Sequence, residues 1–410
     1  MSTLAERPRT QASRRRGGDA LLLTGATGFV GAELLARYVQ LTDRTIYVLI
    51  RAGDARHAAE RLRETLRCAL GSAEPHLHRV RALAGDITHD GLGLDPQHAL
   101  EAAGEISEIV HGAASVSFDL ALEPARAINV HGTRRMLEFA ELCRAEGGLR
   151  RFTYISTAYV AGTHRGAFGE DDLDVGQGFR NAYEQSKFEA ELLVAGHGGR
   201  LPITVVRPSI VVGDRHSGWT SSFNVLYWPL RALAKGSYPV LPARRRAPVD
   251  VVSVDYVADA IVALAGSPEA AGHTYHLTAS QDAITIGELL ALSVARLGCR
   301  RPPLISPRLY RHVLAPLISR LQPRRGRFLR ATETYLPYFA VAAVYDNARA
   351  RAALAPAIRP APLPDYFDAI VDYALRARWG AERSLTRASA ALEVRGAQRA
   401  RARVGAAAAG

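Results

Sequence analysis

The stretch "ALLLTGATGFVGAELL", residues 20–35, decides the fold class of this chain. Its apolar start, residues 20–23, has the composition of a buried strand, and residues 29–41 have the periodicity of a helix. Three glycines, Gly25, Gly28 and Gly31, lie between them at three-residue intervals. A helix N-terminus presents unpaired N–H groups and a positive dipole end, which attract phosphate. The pattern therefore predicts that a dinucleotide pyrophosphate binds over bare backbone.

Each glycine of this loop has a predicted role. Gly25 allows the tight turn, Gly28 allows the close approach of the pyrophosphate, and Gly31 allows the helix to pack on the strand. The motif follows a strand, opens a helix and starts a βαβ unit, which is the context that makes it specific. The predicted cofactor contacts in the loop are Gly25, Thr27, Gly28, Phe29, Val30 and Gly31.

Strand-like and helical patterns alternate outward from this loop. Apolar, β-branched runs that are short and unbroken are typical of strands buried on both faces. Their alternation with helices predicts an α/β fold, a doubly wound, Rossmann-like parallel sheet. The predicted strands are 20–23, 45–50, 80–84, 108–111, 152–155 and 203–206, and the predicted helices are 29–41, 55–70, 123–143 and 181–195.

The regular alternation of strand and helix patterns ends after residue 212. We expect a Rossmann domain over 19–265, with substrate-lobe insertions from about 213, and a smaller, mostly helical C-terminal substrate lobe over 266–380. Residues 302–330 have an amphipathic helical spacing that Pro316 should kink. The stripe 309–321 is predicted to be a lid packed on the lobe, with contact to a membrane surface or an acyl chain as the alternative. A last helix is expected over 365–379.

Charge is concentrated at the two ends of the chain. The 410 residues carry a net charge of +12, of which residues 1–18 and 381–410 each hold +4 (five Arg and one Glu, then six Arg and two Glu). We expect two disordered or weakly helical tails rather than a nucleic-acid surface. The three cysteines lie far apart, so no metal site is expected. Without an 18-residue apolar run or a signal segment, a soluble, cytoplasmic protein is expected.

The second predicted strand indicates which dinucleotide is bound. An acidic residue about 20 positions after the glycines would hold the ribose 2′-hydroxyl of NAD. Here the strand ends at Arg51, and no acidic residue follows before Asp54. An arginine at this place pairs with a 2′-phosphate, so NADPH is the predicted cofactor, with Arg61 assisting. The alternative is that Arg51 is only a solvated residue at a strand end.

A tyrosine and a lysine four residues apart suggest acid–base chemistry. Tyr183 and Lys187, in "YEQSK", lie on one face of a predicted helix. A nearby ammonium favours the phenolate and is expected to lower the tyrosine pKa, which is near 10 in a free phenol. Thr157 ends a predicted strand at the carboxyl edge of the sheet, where its hydroxyl can bond a reacting carbonyl. Ser156 is a weaker candidate, and Asn129 is either structural or part of a relay.

These pieces together resemble the extended short-chain dehydrogenases/reductases. They are most similar to the male-sterility-type NAD-binding branch, which contains fatty acyl reductases and the thioester reductase domains of carboxylic acid reductases and nonribosomal peptide synthetases. The resemblance covers residues 21–264. Beyond the stretches already quoted it rests on "YVLIRA" (47–52), "GDITHDGLGL" (85–94), "HGAASVSF" (111–118), "NVHGTRRML" (129–137), "YISTAYVAG" (154–162), "YEQSKFEAELL" (183–193), "VVRPSIVVGD" (205–214), "SGW" (217–219) and "VDVVSVDYVADAI" (249–261).

The resemblance implies further site residues. It places Asp86 and Ile87 beside the adenine, Ala113 and Ala114 along the cofactor channel, and Pro208 and Ser209 near the nicotinamide. Thr157, Tyr183 and Lys187 would form the catalytic triad.

The implied activity is NADPH-dependent reduction of an acyl thioester to the aldehyde, or on to the alcohol. Because no adenylation or carrier domain is expected in the chain, the substrate would arrive on CoA or on a separate acyl carrier protein. The alternatives are a ketoreductase or hydroxysteroid-type dehydrogenase, a nucleotide-sugar epimerase or dehydratase, and a cofactor-binding sensor without chemistry.

Overall fold

The computed structural model describes residues 18–223, 225–314, 320, 341–381, 386, 387, 389 and 390. In chain order, the strands are β1 (Ala20–Thr24), β2 (Ile46–Ile50), β3 (Val80–Ala84), β4 (Ile106–His111), β5 (Arg151–Ile155), β6 (Arg165–Phe168), β7 (Ile203–Pro208), β8 (Ile210–Val212), β9 (Leu241–Pro242), β10 (Pro248–Val249), β11 (Val251–Ser253), β12 (Thr274–Leu277), β13 (Ile284–Thr285), β14 (Leu304–Ile305) and β15 (Ala342–Tyr345). The helices are α1 (Phe29–Leu41), α2 (Ala55–Leu70), α3 (Pro96–Glu105), α4 (Leu122–Arg126), α5 (Gly132–Glu146), α6 (Ala182–Ala195), α7 (Tyr227–Ala234), α8 (Val254–Gly266), α9 (Ile286–Leu297), α10 (Pro307–Leu309), α11 (Ala348–Ala353) and α12 (Phe367–Arg376).

A seven-stranded parallel sheet forms the centre of the fold. Its strand order is β12-β7-β5-β4-β1-β2-β3, and every neighbouring pair is parallel. The order reverses beside β1, and at such a switch point the carboxyl ends of the strands leave a crevice for a ligand. The predicted doubly wound α/β fold is confirmed.

Helices cover both faces of the sheet, because successive strand residues point to opposite sides. Leu21 and Leu23 pack into a core with residues of α1, α2 and α8, whereas Ala20 and Leu22 pack into a second core with residues of α3, α5 and α6. Both cores consist almost entirely of buried apolar side chains. The continuous apolar strands seen in the sequence are thus explained by burial on both faces.

Several elements differ from the sequence expectation. The predicted helix 123–143 is interrupted by a π-helical turn, Ala127–His131, between α4 and α5. β12 lies beyond residue 265, so the sheet continues into the segment expected to form the lobe. Residues 304–305 form a strand, where the sequence suggested a helix from 302 onward. About half of that amphipathic segment, residues 315–319 and 321–330, lies outside the described residues, as do most of the two basic tails.

A third apolar cluster lies beyond the sheet. It joins Ala158–Ala161 to residues of α7, α9 and α12. Two-residue strands such as β9, β10, β13 and β14 pair around it. Among the helices in the described part of the chain, none combines the length and the apolar character that crossing a membrane requires.

Candidate active site

The glycine-rich loop lies at the carboxyl end of β1, against the end of β4. Gly25 has φ +78°, and a Cβ there would lie 2.7 Å from the Gly112 backbone. Gly31 is in the first turn of α1, and a Cβ there would collide with the Gly25 carbonyl oxygen. Only glycine satisfies the positive φ and the close packing together. These two glycines therefore shape the loop itself.

Gly28 has different surroundings. A Cβ at this position would meet one protein atom within 4 Å, the Gly25 oxygen at 3.2 Å. Gly28 and Thr27 are exposed, and Phe29 and Val30 are half-buried at the start of α1. The space over Gly28 is thus open to a ligand and faces the N-terminus of a 13-residue helix. These residues fit the pyrophosphate of a dinucleotide.

The residues predicted to surround the adenine end lie after β2 and β3. Arg51 is exposed, and Arg61 on α2 donates a hydrogen bond to the Arg51 carbonyl oxygen. Asp86 accepts two hydrogen bonds from Thr88, both 2.9 Å. Ile87 is buried, and its side chain packs against Gly132, where a Cβ would collide with it. These four residues lie at the carboxyl edge of the sheet, on the β3 side of the glycine-rich loop.

The catalytic candidates lie on the β7 side of the same edge. Thr157 follows β5, and its hydroxyl lies within hydrogen-bonding reach of the Tyr183 phenol, whose pKa it lowers. The same hydroxyl lies 3.5 Å from the Pro208 carbonyl oxygen, and the neighbouring Ser209 is buried. Ala113 donates its N–H to Thr24 at 3.1 Å, and Ala114 is half-buried next to it. The structure thus brings Thr157, Tyr183 and Pro208 together, with Ala113 and Ala114 beside the glycine-rich loop.

The expected effect of Lys187 on the Tyr183 pKa is wrong. Burial raises the pKa of Tyr183 to about 12, the Thr157 hydrogen bond opposes that rise, and Glu184 adds to it. The Lys187 ammonium has other partners, donating to the Tyr154 hydroxyl and the Ile155 carbonyl oxygen, each at 2.9 Å. Helical spacing placed the lysine on the correct face, but its partners belong to β5.

Lys187 is itself strongly perturbed. Only 3% of the residue is exposed, and its Nζ lies 4.4 Å from the centre of the Tyr154 ring. Burial lowers the pKa of Lys187 to about 7, while the charge of Glu191 one turn later opposes the shift. A buried amine whose pKa is displaced in this way is typical of functional sites.

The two weaker candidates are both hydrogen-bonded within the protein. The Ser156 hydroxyl points away from Thr157 and donates to Glu191. Asn129, in the π-helical turn, accepts from the Ser115 N–H at 2.8 Å and donates to the Ser186 hydroxyl at 2.9 Å. It therefore fastens the loop after β4 to α6. In the described part of the chain, no group of three His, Cys, Asp or Glu side chains could hold a metal ion.

Sequence reasoning missed Tyr154, Glu191 and Phe118. Tyr154 on β5 and Ser156 just after that strand are two residues apart, and their partners Lys187 and Glu191 are four apart on α6. Residues two apart on a strand lie on one face of the sheet, and residues four apart on a helix lie on one face of the helix. The two spacings together could therefore have predicted this pairing. The Phe118 ring lies 5.5 Å from the Tyr183 ring, in a loop that gave no such signal.

Known proteins are similar to this chain in sequence and in fold. An NAD-binding family model described as "Male sterility protein" matches residues 23–261. A nonribosomal peptide synthetase, asaC, from Aspergillus flavus is 32% identical over 271 residues, which are 63% of this chain and 26% of that protein. Fatty acyl-CoA reductase 1 from Arabidopsis thaliana is 26% identical over 70% of this chain and 72% of its own length. The crystal structure of the terminal R domain of the myxalamid PKS-NRPS pathway aligns with TM-score 0.76 and 26% identity, over 88% of this chain and 92% of that one. The chain spans about a quarter of the length of the synthetase.

Proposed function

The chain belongs to the male sterility protein family of NAD-binding domains, and from that premise we propose that it reduces an acyl thioester with NADPH. The product is the aldehyde, or the alcohol after a second reduction. One observation carries the proposal: the hydroxyls of Thr157 and Tyr183 lie within hydrogen-bonding reach of each other at the carboxyl edge of the sheet. They lie on the same edge as a glycine-rich loop that fits a dinucleotide.

The two hydroxyls bind and protonate the thioester carbonyl oxygen. When bound, NADPH supplies the hydride that the carbonyl carbon accepts. Thr157 and Tyr183 donate hydrogen bonds to the oxygen, where negative charge develops in the transition state. Tyr183 then gives its proton to that oxygen. The resulting hemithioacetal loses the thiol and leaves the aldehyde.

The cofactor is held along the whole edge of the sheet. The N-terminus of α1 and the loop 25–31 receive the pyrophosphate. Arg51, with its carbonyl held by Arg61, faces the 2′-phosphate, and this charge contact favours NADPH over NADH. Asp86 and Ile87 border the adenine, Ala113 and Ala114 line the channel, and Pro208 and Ser209 border the nicotinamide.

The acyl donor is CoA or an acyl carrier protein. Support comes from the relatives, which include a fatty acyl-CoA reductase and a nonribosomal peptide synthetase. We propose that the insertions from about residue 213 and the segment 266–380 supply the acyl-binding surface. An apolar cavity of about 40 Å³ lies there between α7 and α9. It is lined by Leu226, Pro229, Leu230, Leu233, Tyr238, Leu241, Ile286, Leu289, Leu290 and Ser293.

A substrate panel tests the proposal. Purified protein is mixed with NADPH and, separately, with acyl-CoAs, acyl carrier proteins, ketones and nucleotide sugars, and NADPH oxidation is followed with product identification by mass spectrometry. We expect aldehyde or alcohol from the thioesters. Turnover of ketones or nucleotide sugars alone would replace the proposal by a ketoreductase or an epimerase.

Tyr183→Phe tests the chemistry separately from binding. It should lower turnover by about two to four orders of magnitude, because the general acid is lost, and it should leave NADPH binding largely intact. Tyr47→Phe is the matched control. The Tyr47 hydroxyl donates a 2.7 Å hydrogen bond to Glu105, and this pair lies away from the candidate site. Full turnover in Tyr183→Phe would remove the assignment of the proton donor.

A further inference from the structure

A buried chain of hydrogen bonds leads from the glycine-rich loop to Lys187. The Thr24 hydroxyl lies 2.8 Å from His111 Nδ1, and His111 Nε2 lies 3.2 Å from the Thr133 hydroxyl. The Thr133 hydroxyl is in turn within hydrogen-bonding reach of the Tyr154 hydroxyl, which lies 2.9 Å from Lys187 Nζ. All five residues are at most 4% exposed, so the chain is shielded from water over its whole length.

The direction of the chain is fixed at its start. A hydroxyl has two acceptor lone pairs and one hydrogen. The Thr24 oxygen already accepts the N–H groups of Gly112 and Ala113, at 3.2 and 3.1 Å. Its hydrogen must therefore point at His111 Nδ1.

This direction sets the tautomer of His111. Burial lowers the pKa of His111 to about 3, so the ring is neutral and carries a single N–H. Because Nδ1 accepts, that hydrogen is on Nε2 and points at Thr133. Thr133 then directs its own hydrogen to the Tyr154 oxygen. Tyr154 is thereby left offering an oxygen lone pair to the Lys187 ammonium.

We propose that Tyr154 is a positioning residue for Lys187, with its hydroxyl oriented by the Thr24–His111–Thr133 chain to hold the ammonium in place. The proposal rests on the reductase function proposed above, and it takes the protonated Lys187 as the active form. An ammonium has three hydrogens. Tyr154 and the Ile155 carbonyl oxygen take two of them, which leaves one for the cofactor side of the site.

The charges around Lys187 do not replace this hydroxyl. Glu191 on α6 is the acidic group that favours the ammonium, but it is already paired with Arg207 of β7 and bonded to Ser156. His111 of β4 is neutral. The phenols of Tyr154 and Tyr183 are also neutral, since burial raises both pKa values. Loss of the Tyr154 oxygen therefore removes a direct acceptor from a buried cation.

The composition of the chain makes the Lys187 ammonium directly measurable. Of its 52 Lys and Arg residues only two are lysines, Lys187 and the exposed Lys235. In protein labelled with ε-¹³C-lysine, an NMR titration gives two signals, with Lys235 as internal reference. Tyr154→Phe should move the Lys187 midpoint down from about 7 by about one pH unit, because the variant loses a hydrogen bond to a charged group.

The same shift should be visible in catalysis. At pH 7 a midpoint one unit lower reduces the protonated fraction, and hence kcat/KM with NADPH, by about fivefold. At pH 5.5 both proteins are mostly protonated, so their rates should agree within about twofold. Recovery at low pH is a result that a merely structural loss would not give.

Two further variants complete the test. Thr133→Val removes the preceding donor and should shift the Lys187 midpoint in the same direction by a smaller amount. Tyr38→Phe removes a buried hydroxyl that lies 3.3 Å from Glu108, and should leave the midpoint unchanged. An unchanged midpoint in Tyr154→Phe, or in Thr133→Val where the first variant does not fold, overturns the proposal. If the midpoint shifts but the wild type reduces no thioester, the positioning role stands and the reductase function fails.

Discussion

Tyr183 keeps its proton until it is needed, and the phenolate that remains after proton transfer is stabilised. Packing raises its pKa to about 12, so the phenol is neutral at physiological pH and has a proton to give. The Thr157 hydroxyl lowers the same pKa, since a hydrogen bond to the phenolate favours the charged form. In the reduction direction an acid needs both properties. The Thr157–Tyr183 pair supplies both properties to the acid itself.

Arg51 is expected to select NADPH by charge. Its guanidinium makes no ion pair with any other part of the chain that the structure describes, which leaves it available to a 2′-phosphate. Arg51→Ala should raise the dissociation constant of NADPH by about ten- to a hundredfold, because a hydrogen bond to a charged group contributes about 1.5–3 kcal/mol. NADH binding should change by less than about twofold. Fluorescence titration with each cofactor measures both constants.

The control for Arg51 is Arg200→Ala. Arg200 is exposed before β7, 3.7 Å from Glu141, at the opposite edge of the sheet. Its loss should alter neither constant. If Arg51→Ala weakened the binding of NADPH and of NADH equally, Arg51 would contribute to cofactor binding in general. The selectivity for NADPH would then need another source.

The sequence predicted candidate residues that the structure brings together at the carboxyl edge of the sheet, but not how their side chains pair. Spacing placed Tyr183 and Lys187 on one helix face, and the strand end placed Thr157 at the carboxyl edge. The partners of Lys187 come from β5, more than 30 residues earlier. Local periodicity carries no information about a contact of that range, and the expected pKa change failed for this reason.

At the scale of elements, helix boundaries were predicted best where local signals mark them. α2 begins after Asp54, whose side chain accepts the His57 N–H at 2.7 Å, and ends at Gly71 with φ +85°. These are standard cap residues, and the predicted bounds 55–70 agree with the structure. The π-helical turn at Ala127–His131 has no such marker. Its residue Asn129 bonds Ser115 and Ser186, which are distant in sequence, so local signals do not reveal these contacts.

Substitutions at Gly28 and Gly31 should affect different quantities, cofactor binding in the first case and stability of the fold in the second. Gly28 has φ −89° and ψ 175°, which alanine adopts freely, and its Cβ would point into the open space expected for the pyrophosphate. Gly28→Ala should change the free energy of unfolding by less than about 1 kcal/mol and weaken NADPH binding at least about tenfold. Gly31→Ala collides with the Gly25 carbonyl and should lower the free energy of unfolding by about 1–3 kcal/mol.

Urea unfolding and NADPH titration of both variants make the comparison. Gly104→Ala is the control, because no protein atom lies within 4 Å of a Cβ at that position in α3. It should leave both quantities nearly unchanged. Full NADPH affinity in Gly28→Ala would show that the cofactor does not pass over this residue.

At the scale of the whole molecule, a buried ionic cluster joins the edge of the sheet to later elements. Arg207 of β7 pairs with Glu191 of α6, and both residues are at most 2% exposed. Arg207 also lies 3.0 Å from His276 Nε2 on β12. Glu170 accepts the N–H groups of His276, Arg349 and Ala350. Strands β7 and β12, helix α6 and helix α11 are thus held by one set of polar contacts.

This cluster explains why the sequence predicted the first half of the fold better than the second. The βαβ units up to β7 are built from neighbouring segments with clear periodicity. β12 has four residues and an inward-facing histidine, so its pattern is not that of a core strand. It joins the sheet through pairing with β7, about 70 residues earlier. The short strands beyond β7 are likewise defined by pairing rather than by their own sequence.

His276 should make the folded state sensitive to acid. Arg207 donates to Nε2, and Nδ1 lies 2.6 Å from the Asp346 carbonyl oxygen, so the neutral ring is fully bonded and has no place for a second proton. Burial, followed by the charge of Arg207, lowers the pKa of His276 to about 3, against about 6.5 in the unfolded chain. Above pH 6.5 both states are neutral at this group. As pH falls from 6.5 towards 3, only the unfolded state takes up the proton, and the free energy of unfolding falls by about 1.4 kcal/mol per unit.

His276→Gln removes the group that takes up this proton, so comparing the variant with the wild type measures its contribution. The variant should be less stable at pH 7, by about 1–3 kcal/mol, because the Arg207 and Asp346 contacts are disturbed. Its free energy of unfolding should nevertheless decline less steeply between pH 6.5 and 4, by about one proton's contribution. Urea unfolding at several pH values gives both slopes, with the exposed His98→Gln as control. His111, whose pKa is also lowered to about 3, keeps its share of the acid sensitivity in the variant. Equal slopes in the wild type and His276→Gln would mean that His276 is protonated inside the fold, and that the cluster around Arg207 opens before the protein unfolds.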